Sequence, residues 1–293
     1  MFLDRFISYL KYEKNYSVHS ISAYQHNLST YIRFLESQDF DVITASHHQV
    51  RAFLAGLMES KLKPRSVNRC ISSLKTFYKF LQREQLVEEN PMLLIRFLKT
   101  PKPLAEVIQP DSIIRLLEMD GAFADGFPGM RDKLVIELLF GTGIRRAELL
   151  QISEKDVDFI QGTIRIFGKG SKERLVPMTG SLGESIFKYM ELKRQTLPNS
   201  NTDRLIVTDK GKDGYAQFIY LIVTRHLTLI SSKQKKSPHI LRHSIATALM
   251  NNGAQLNDIK ELLGHANLAS TQVYTHNSIE RLKSIYKQAH PKG

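Results

Sequence analysis

Apolar side chains recur at helical spacing through the first third of the chain: Phe2, Phe6 and Leu10; then Ile21, Tyr24, Leu28, Ile32 and Leu35; then Val50, Phe53, Leu54 and Leu57. Positions three and four apart share one face of a helix, so these runs predict amphipathic helices that each bury a stripe. The clearest lies between Pro64 and Arg83, where Val67, Ile71, Leu74, Tyr78 and Leu81 make one apolar stripe and Asn90-Pro91 follows as a stop signal. Residues 1–97 therefore read as a small helical bundle.

The segment LKTPKPLAEVIQPDS carries Pro101, Pro103 and Pro110, which cannot continue a helix, and it is read as a linker over 98–110. Asp111-Ser112 reads as a helix cap, with helices expected near Met130–Phe140 and Arg146–Ile152. The period then changes. Thr163–Phe167 and Glu173–Val176 alternate like strands around Gly168-Lys169-Gly170-Ser171-Lys172, which predicts a hairpin with a basic, glycine-rich tip. Helical periods return after Pro177 and run through Ile285, broken by polar loops. A second unit over 111–293, mainly α with a small β-hairpin or sheet, follows from this pattern.

A length of 293 residues suits two such units. Hydrophobic residues at 42%, with 16 Gly and 10 Pro, exclude collagen-like and wholly disordered classes. Charge alters the picture more: 41 Lys+Arg against 29 Asp+Glu give +12, the balance of a protein that meets a polyanion or an anionic membrane. No run approaches the roughly 18 to 20 apolar residues of a membrane span, and no secretory leader is evident. The single cysteine, Cys70, cannot form an internal disulfide or a thiolate zinc site. A cytoplasmic protein with nucleic acid as its leading partner class, and no membrane partner, is the expectation. Lys61, Lys63, Arg65, Arg69, Lys75 and Lys79 fall together with no acidic residue among them, which suits either a solvated helix face or a row of phosphate contacts.

Four segments gather groups with chemistry: GTGIRRAEL (141–149), GKGSKERLVP (168–177), SPHILRHSIAT (237–247) and LLGHANLASTQVYTH (262–276). The GTG follows a helix rather than a strand and lacks the third glycine of a dinucleotide fingerprint, so it reads as a helix end with a turn. His239 and His243 have the spacing of a shared metal, yet Ile240, Leu241 and Arg242 stand between them where a zinc hydrolase needs a Glu after the first His. His239 and Arg242, three apart, share a helix face and together suit a phosphate oxygen. Tyr274 taken alone reads as an ordinary core or rim tyrosine.

The order of these groups resembles the signature of the tyrosine recombinases of the phage-integrase superfamily, and within it the Xer type. The resemblance covers essentially the whole chain, with SVHSISAYQHNL and KPRSVNRCISSLKTFYKFL similar to the family's helical core-binding (SAM-like) domain and residues from Arg131 on similar to its catalytic domain. Carried over residue by residue, Arg145 matches the first catalytic Arg, Glu148 its acidic support, Lys169 the hairpin Lys, His239 and Arg242 the His-x-x-Arg pair, His265 the second His and Tyr274 the nucleophile. Lys172 and Arg174 of the hairpin join the basic run of residues 61–79 as expected DNA contacts. One departure is Arg146, where the family often carries a small or apolar residue.

The resemblance implies a two-domain, C-shaped clamp on DNA that cuts and rejoins strands through a 3′-phosphotyrosyl bond, with no metal, cofactor or ATP. It further implies a homotetramer, or a heterotetramer with a second recombinase, acting in chromosome dimer resolution, with a septal DNA translocase as a candidate partner. An integrase of a phage, conjugative or transposable element has the same chemistry, and a catalytically silent DNA-binding protein is the alternative from another class. At the C-terminus Ile279, Leu282, Ile285 and Tyr286 recur at helical spacing. This tail either packs on its own domain or, as the resemblance implies, is donated to a neighbour.

Overall fold

The computed structural model of the chain describes residues 2–100, 107–168, 173–232, 236–264 and 276–291. The chain forms two compact units, Met1–Lys102 and Pro103–Gly293, each around its own core.

The first unit consists of α1 (Phe2–Ser8), extended by a wider turn over Tyr9–Glu13, then α2 (Val18–Glu36), α3 (His47–Glu59) and α4 (Pro64–Arg83). Pro64 opens α4 at the first helical position, where its missing N–H has no partner to lose. Val67, Ile71, Leu74, Phe77, Tyr78 and Leu81 of α4 bury against Phe6, Leu10, Leu28 and Tyr31. Polar groups that fall inside are paired: Asn27 donates to Ser73 Oγ at 2.9 Å, the Tyr31 and Tyr78 hydroxyls lie 2.9 Å apart, and Tyr78 donates to the Val42 carbonyl at 3.1 Å. The opposite face is basic. Lys61, Lys63, Arg65, Arg69 and Lys79 are exposed, and Lys75 is half-buried with its ammonium 4.9 Å from the Phe97 ring centroid.

The expected linker is narrower than its prolines suggest. Asn68 exchanges hydrogen bonds with Leu98, 2.9 Å to its carbonyl and 2.7 Å from its N–H, and so fastens Leu98 to the first unit. Ile108 is buried in the second unit, its carbonyl accepting from Ser244 Oγ at 2.7 Å. The next helix, α5 (Pro110–Glu118), is capped at Gln109 rather than at Asp111-Ser112. Proline presets the first helical φ at Pro110, and Asp111 falls in the first turn, where the helix dipole favours an acid.

In the second unit α6 (Gly126–Thr142) is the central helix, packed by α8 (Gly180–Thr196), α9 (Ala216–Ile230) and α10 (Pro238–Asn251). Leu134, Val135, Ile136, Leu138, Leu139 and Phe140 are all buried, so α6 has almost no polar face to give to water. The short α7 (Arg146–Leu149) follows it. A three-stranded antiparallel sheet comes next, β1 (Val157–Asp158), β2 (Thr163–Phe167) and β3 (Glu173–Pro177), in that order. Ile164 stands opposite Val176 and Ile166 opposite Arg174. The two hairpin strands lie where alternation placed them; β1 has two residues, too few for an alternation to be seen. α11 (Leu256–Leu263) and α12 (His276–Ala289) complete the chain.

The C-terminal helix packs on its own unit, one of the two placements its apolar face left open. Leu282, Tyr286 and Ala289 are buried, Tyr286 donates to the Gly141 carbonyl at 2.7 Å, Asn252 donates to the Ala289 carbonyl at 2.8 Å, and Arg281 pairs with Asp258. A groove within reach on the same chain satisfies an amphipathic face without the loss of freedom that a second molecule costs. Removing residues 279–293 strips Leu282 and Tyr286 from a seam they share with Leu249, Ile259 and Leu262. At about 2–3 kcal/mol for each large side chain, this lowers the melting temperature of the second unit by roughly 10 °C or more. Calorimetry on the full and shortened chains checks it; coincident transitions would contradict the packing described.

Candidate active site

Two helix ends meet at the centre of the second unit, and each stops at a glycine. Gly143 closes α6 at φ +63° and Gly264 closes α11 at φ +68°, the left-handed region. A Cβ on Gly143 would stand 2.5 Å from Leu263 Cδ2, and one on Gly264 3.0 Å from the Arg174 guanidinium. Only glycine fits both the conformation and the space.

The carbonyls that a helix leaves unpaired at its C-terminus are taken here by arginines. Three successive carbonyls at the end of α11 each accept from a different guanidinium: Leu262 from Arg174 Nε at 3.2 Å, Leu263 from Arg242 Nη2 at 2.6 Å, and Gly264 from Arg145 Nη2 at 2.8 Å. Arg242 Nη1 also donates to the Gly143 carbonyl at 2.6 Å, so one side chain ties both helix ends.

Glu148 lies beneath this set. Its carboxylate accepts from the Arg145 backbone N–H at 2.8 Å and from Arg145 Nη1 at 2.7 Å, and from Arg174 Nη1 and Nη2 at 3.0 and 2.8 Å. Burial works against its charge, but the bonds and charge of Arg174, then those of Arg145, outweigh it and hold the Glu148 pKa below the usual carboxylate range. Arg242 is buried and repelled by Arg145, which brings its pKa down to about 10, still a cation at neutral pH.

His239 stands in the first turn of α10, opened by Ser237 and Pro238 as the sequence indicates, three residues before Arg242. Partial desolvation, then the charges of Arg146, Arg242, His243 and Arg145, lower its pKa below the ordinary 6.5, so the ring is neutral at pH 7. The role of Arg146, unexplained in sequence, has a physical reading here. Its Nη1 donates to the Ala216 carbonyl at 3.2 Å, which holds a positive charge near His239. Arg146→Ala is therefore expected to raise the His239 pKa toward the ordinary value, read by NMR titration of the imidazole Cε1–H. An unmoved midpoint would contradict this account.

The structure thus gathers Arg145, Glu148 and Arg242 and sets His239 within range of their charges. Lys169, Lys172, His265 and Tyr274 lie outside the described residues. Arg174 is a correction. Expected to reach DNA, it is 7% exposed, and all three of its nitrogens donate internally. The strand pattern carried the signal: Arg174 alternates with Val176 on the face of β3 that turns inward with Ile164 and Ile166. Local sequence gives no sign of the buried partner, Glu148, which is 26 positions away.

Comparison with known proteins agrees with this fold. Residues 3–85 match the profile of the phage integrase N-terminal SAM-like domain and residues 106–281 that of the phage integrase family. The chain belongs to the phage integrase family. It is 37% identical over 298 aligned positions to tyrosine recombinase XerC of Oceanobacillus iheyensis, covering 100% of this chain and 97% of that protein. It is 34% identical over 293 positions to tyrosine recombinase XerD of Staphylococcus epidermidis, covering 99% of each. The crystal structure of the XerH site-specific recombinase bound to its difH substrate, a pre-cleavage complex, is similar at a TM-score of 0.71 and 25% identity, covering 96% of this chain and 82% of that one. Within the family this chain is a Xer-type tyrosine recombinase, an enzyme of DNA cleavage and rejoining. Among the described residues no helix is long and apolar enough to cross a membrane.

Proposed function

We propose that this chain recombines DNA at a specific site through a covalent tyrosyl intermediate and serves chromosome dimer resolution. The observation that carries the reading is the convergence of Arg145 and Arg242, both braced, with Arg242 still a cation at neutral pH, beside a neutral His239. A phosphodiester resists attack because it is already charged, and its transition state places more charge on the non-bridging oxygens. Two forked guanidiniums and the donors of His239 and His265 supply what metal ions supply in many nucleases. The carbonyls at Gly143, Leu263 and Gly264 accept from these guanidiniums, which supports the reading that they are oriented toward oxygen acceptors.

In this reading Tyr274 attacks phosphorus, the tyrosyl–phosphate bond forms at the 3′ end, and the bond to the 5′ oxygen breaks. Lys169 gives the departing oxygen its proton. Because the phosphotyrosine is about as energetic as the diester it replaces, a 5′ hydroxyl from another strand reverses the step without ATP. Exchange between two duplexes takes four active sites, hence a tetramer of this chain or of this chain and a second recombinase on double-stranded DNA. Arg65, Arg69 and Lys79, exposed on α4, are proposed to grip the phosphate backbone with Lys61, Lys63 and Lys75. The full-length likeness to proteins named XerC and XerD favours this role over that of a mobile-element integrase.

The general acid gives the test. Lys169→Ala is expected to cleave normal DNA slowly, yet to regain most of the wild-type rate when the scissile 5′ bridging oxygen is sulfur, since a thiolate leaves without a proton. Both rates are expected to survive excess EDTA. Equal losses on both substrates, recovered at low salt, would assign Lys169 to phosphate binding instead.

A further inference from the structure

Among the described charged groups buried at this site, the proposed chemistry gives no task to the guanidinium of Arg174. Its side chain is 7% exposed and that of its partner Glu148 6%. The two make a bidentate pair at 3.0 and 2.8 Å, in which two parallel N–H donors of the fork meet both carboxylate oxygens. Arg145 is differently placed. Its side chain is 38% exposed, and it gives Glu148 only Nη1, leaving Nη2 on the Gly264 carbonyl. A carboxylate buried with Arg145 as its sole cation would draw in the whole fork, because an uncompensated buried charge is costly. Arg174 removes that demand from the inside.

The same guanidinium binds two further parts of the site. Through Nε it holds the Leu262 carbonyl, two residues before Gly264, after which the chain continues to His265 and Tyr274. Through its strand it is fixed to the hairpin: Arg174 stands opposite Ile166, and the next pair, Phe167 and Glu173, is the last before the tip that carries Lys169.

Resting on the function proposed above, we infer that Arg174 is a positioning residue of the cleavage reaction. It neutralises Glu148 so that Arg145 keeps a donor for the scissile phosphate, and it locks the end of α11 to the base of the hairpin. It touches no DNA.

The test uses the full-length protein on a nicked duplex that traps the covalent adduct, with single-turnover rates at saturating protein, duplex affinity and melting temperature measured together. Arg174→Met keeps the volume and removes the charge. Its cleavage rate is expected to fall about a hundredfold, the scale of a misplaced reacting group, with affinity within about threefold. Adding Glu148→Gln to Arg174→Met is expected to restore about tenfold of that loss, since a neutral amide no longer claims Arg145. A double variant no faster than the single one would reduce Arg174 to a fold-stabilising role and overturn the inference. Weaker binding with a flatter salt dependence and an undiminished rate at saturation would return it to a DNA contact. Should Arg174→Met melt below the assay temperature, Arg174→Lys, which keeps the charge and loses the fork, is expected to cleave at an intermediate rate; a wild-type rate overturns the inference. Absence of any adduct with the wild-type chain sinks the recombinase reading itself, whereas a wild-type adduct with undiminished variants sinks only the role of Arg174.

Discussion

Tyr274→Phe is expected to abolish the covalent protein–DNA adduct and to leave duplex affinity within about threefold of the wild type, because one hydroxyl adds little to an interface dominated by phosphate contacts. The loss is total rather than partial. Without the phenolic oxygen there is no atom to form the bond to phosphorus, and transition-state donors cannot replace a missing nucleophile. Gel analysis of labelled DNA after denaturation reads the adduct directly, and an adduct that survives the substitution moves the nucleophile to another residue.

Arg242→Ala and Arg145→Ala are each expected to lower single-turnover cleavage at least about a hundredfold, the usual loss when one preorganised donor to a developing charge is deleted. The structure separates the two variants by their stability. Arg242 is buried and holds the Gly143 and Leu263 carbonyls, so its removal strands two acceptors at about 1–3 kcal/mol each. Arg145 is partly exposed, and Glu148 keeps its pair with Arg174 after Arg145 is gone. Arg242→Ala is thus expected to be poor in cleavage and also less stable, and Arg145→Ala comparably poor but nearer the wild type in melting temperature. Cleavage within about tenfold of the wild type for either variant contradicts the assigned roles.

What the sequence made legible follows from where periodicity is strong. The stripe on α4 lies where spacing put it, because one face packs on a core and the other meets water. The central helix α6 carried a fainter pattern, since apolar residues all round leave no period, and its boundary came instead from the glycine turn at Gly143. The site was legible as an ordered set of residue types around Arg145, His239 and Arg242. Its wiring was not. Sequence spacing shows that Glu148 lies one turn from Arg145, but the second guanidinium reaches Glu148 from β3 and the three carbonyls come from α11, contacts made only by tertiary packing. The same holds for the tail: Leu282 and Tyr286 promised a buried face, while the groove that receives it joins Asp258 of the preceding helix to Gly141 of α6, far back in the chain.

The account stands most directly on the chemical nature of the DNA link. The measurement is to trap the adduct on a nicked duplex, digest protein and DNA, and identify the modified peptide and its linkage by tandem mass spectrometry. The predicted result is a single peptide bearing a phosphodiester between the Tyr274 oxygen and the 3′ end of the broken strand. A link to a 5′ phosphate, or to a residue other than Tyr274, would contradict it.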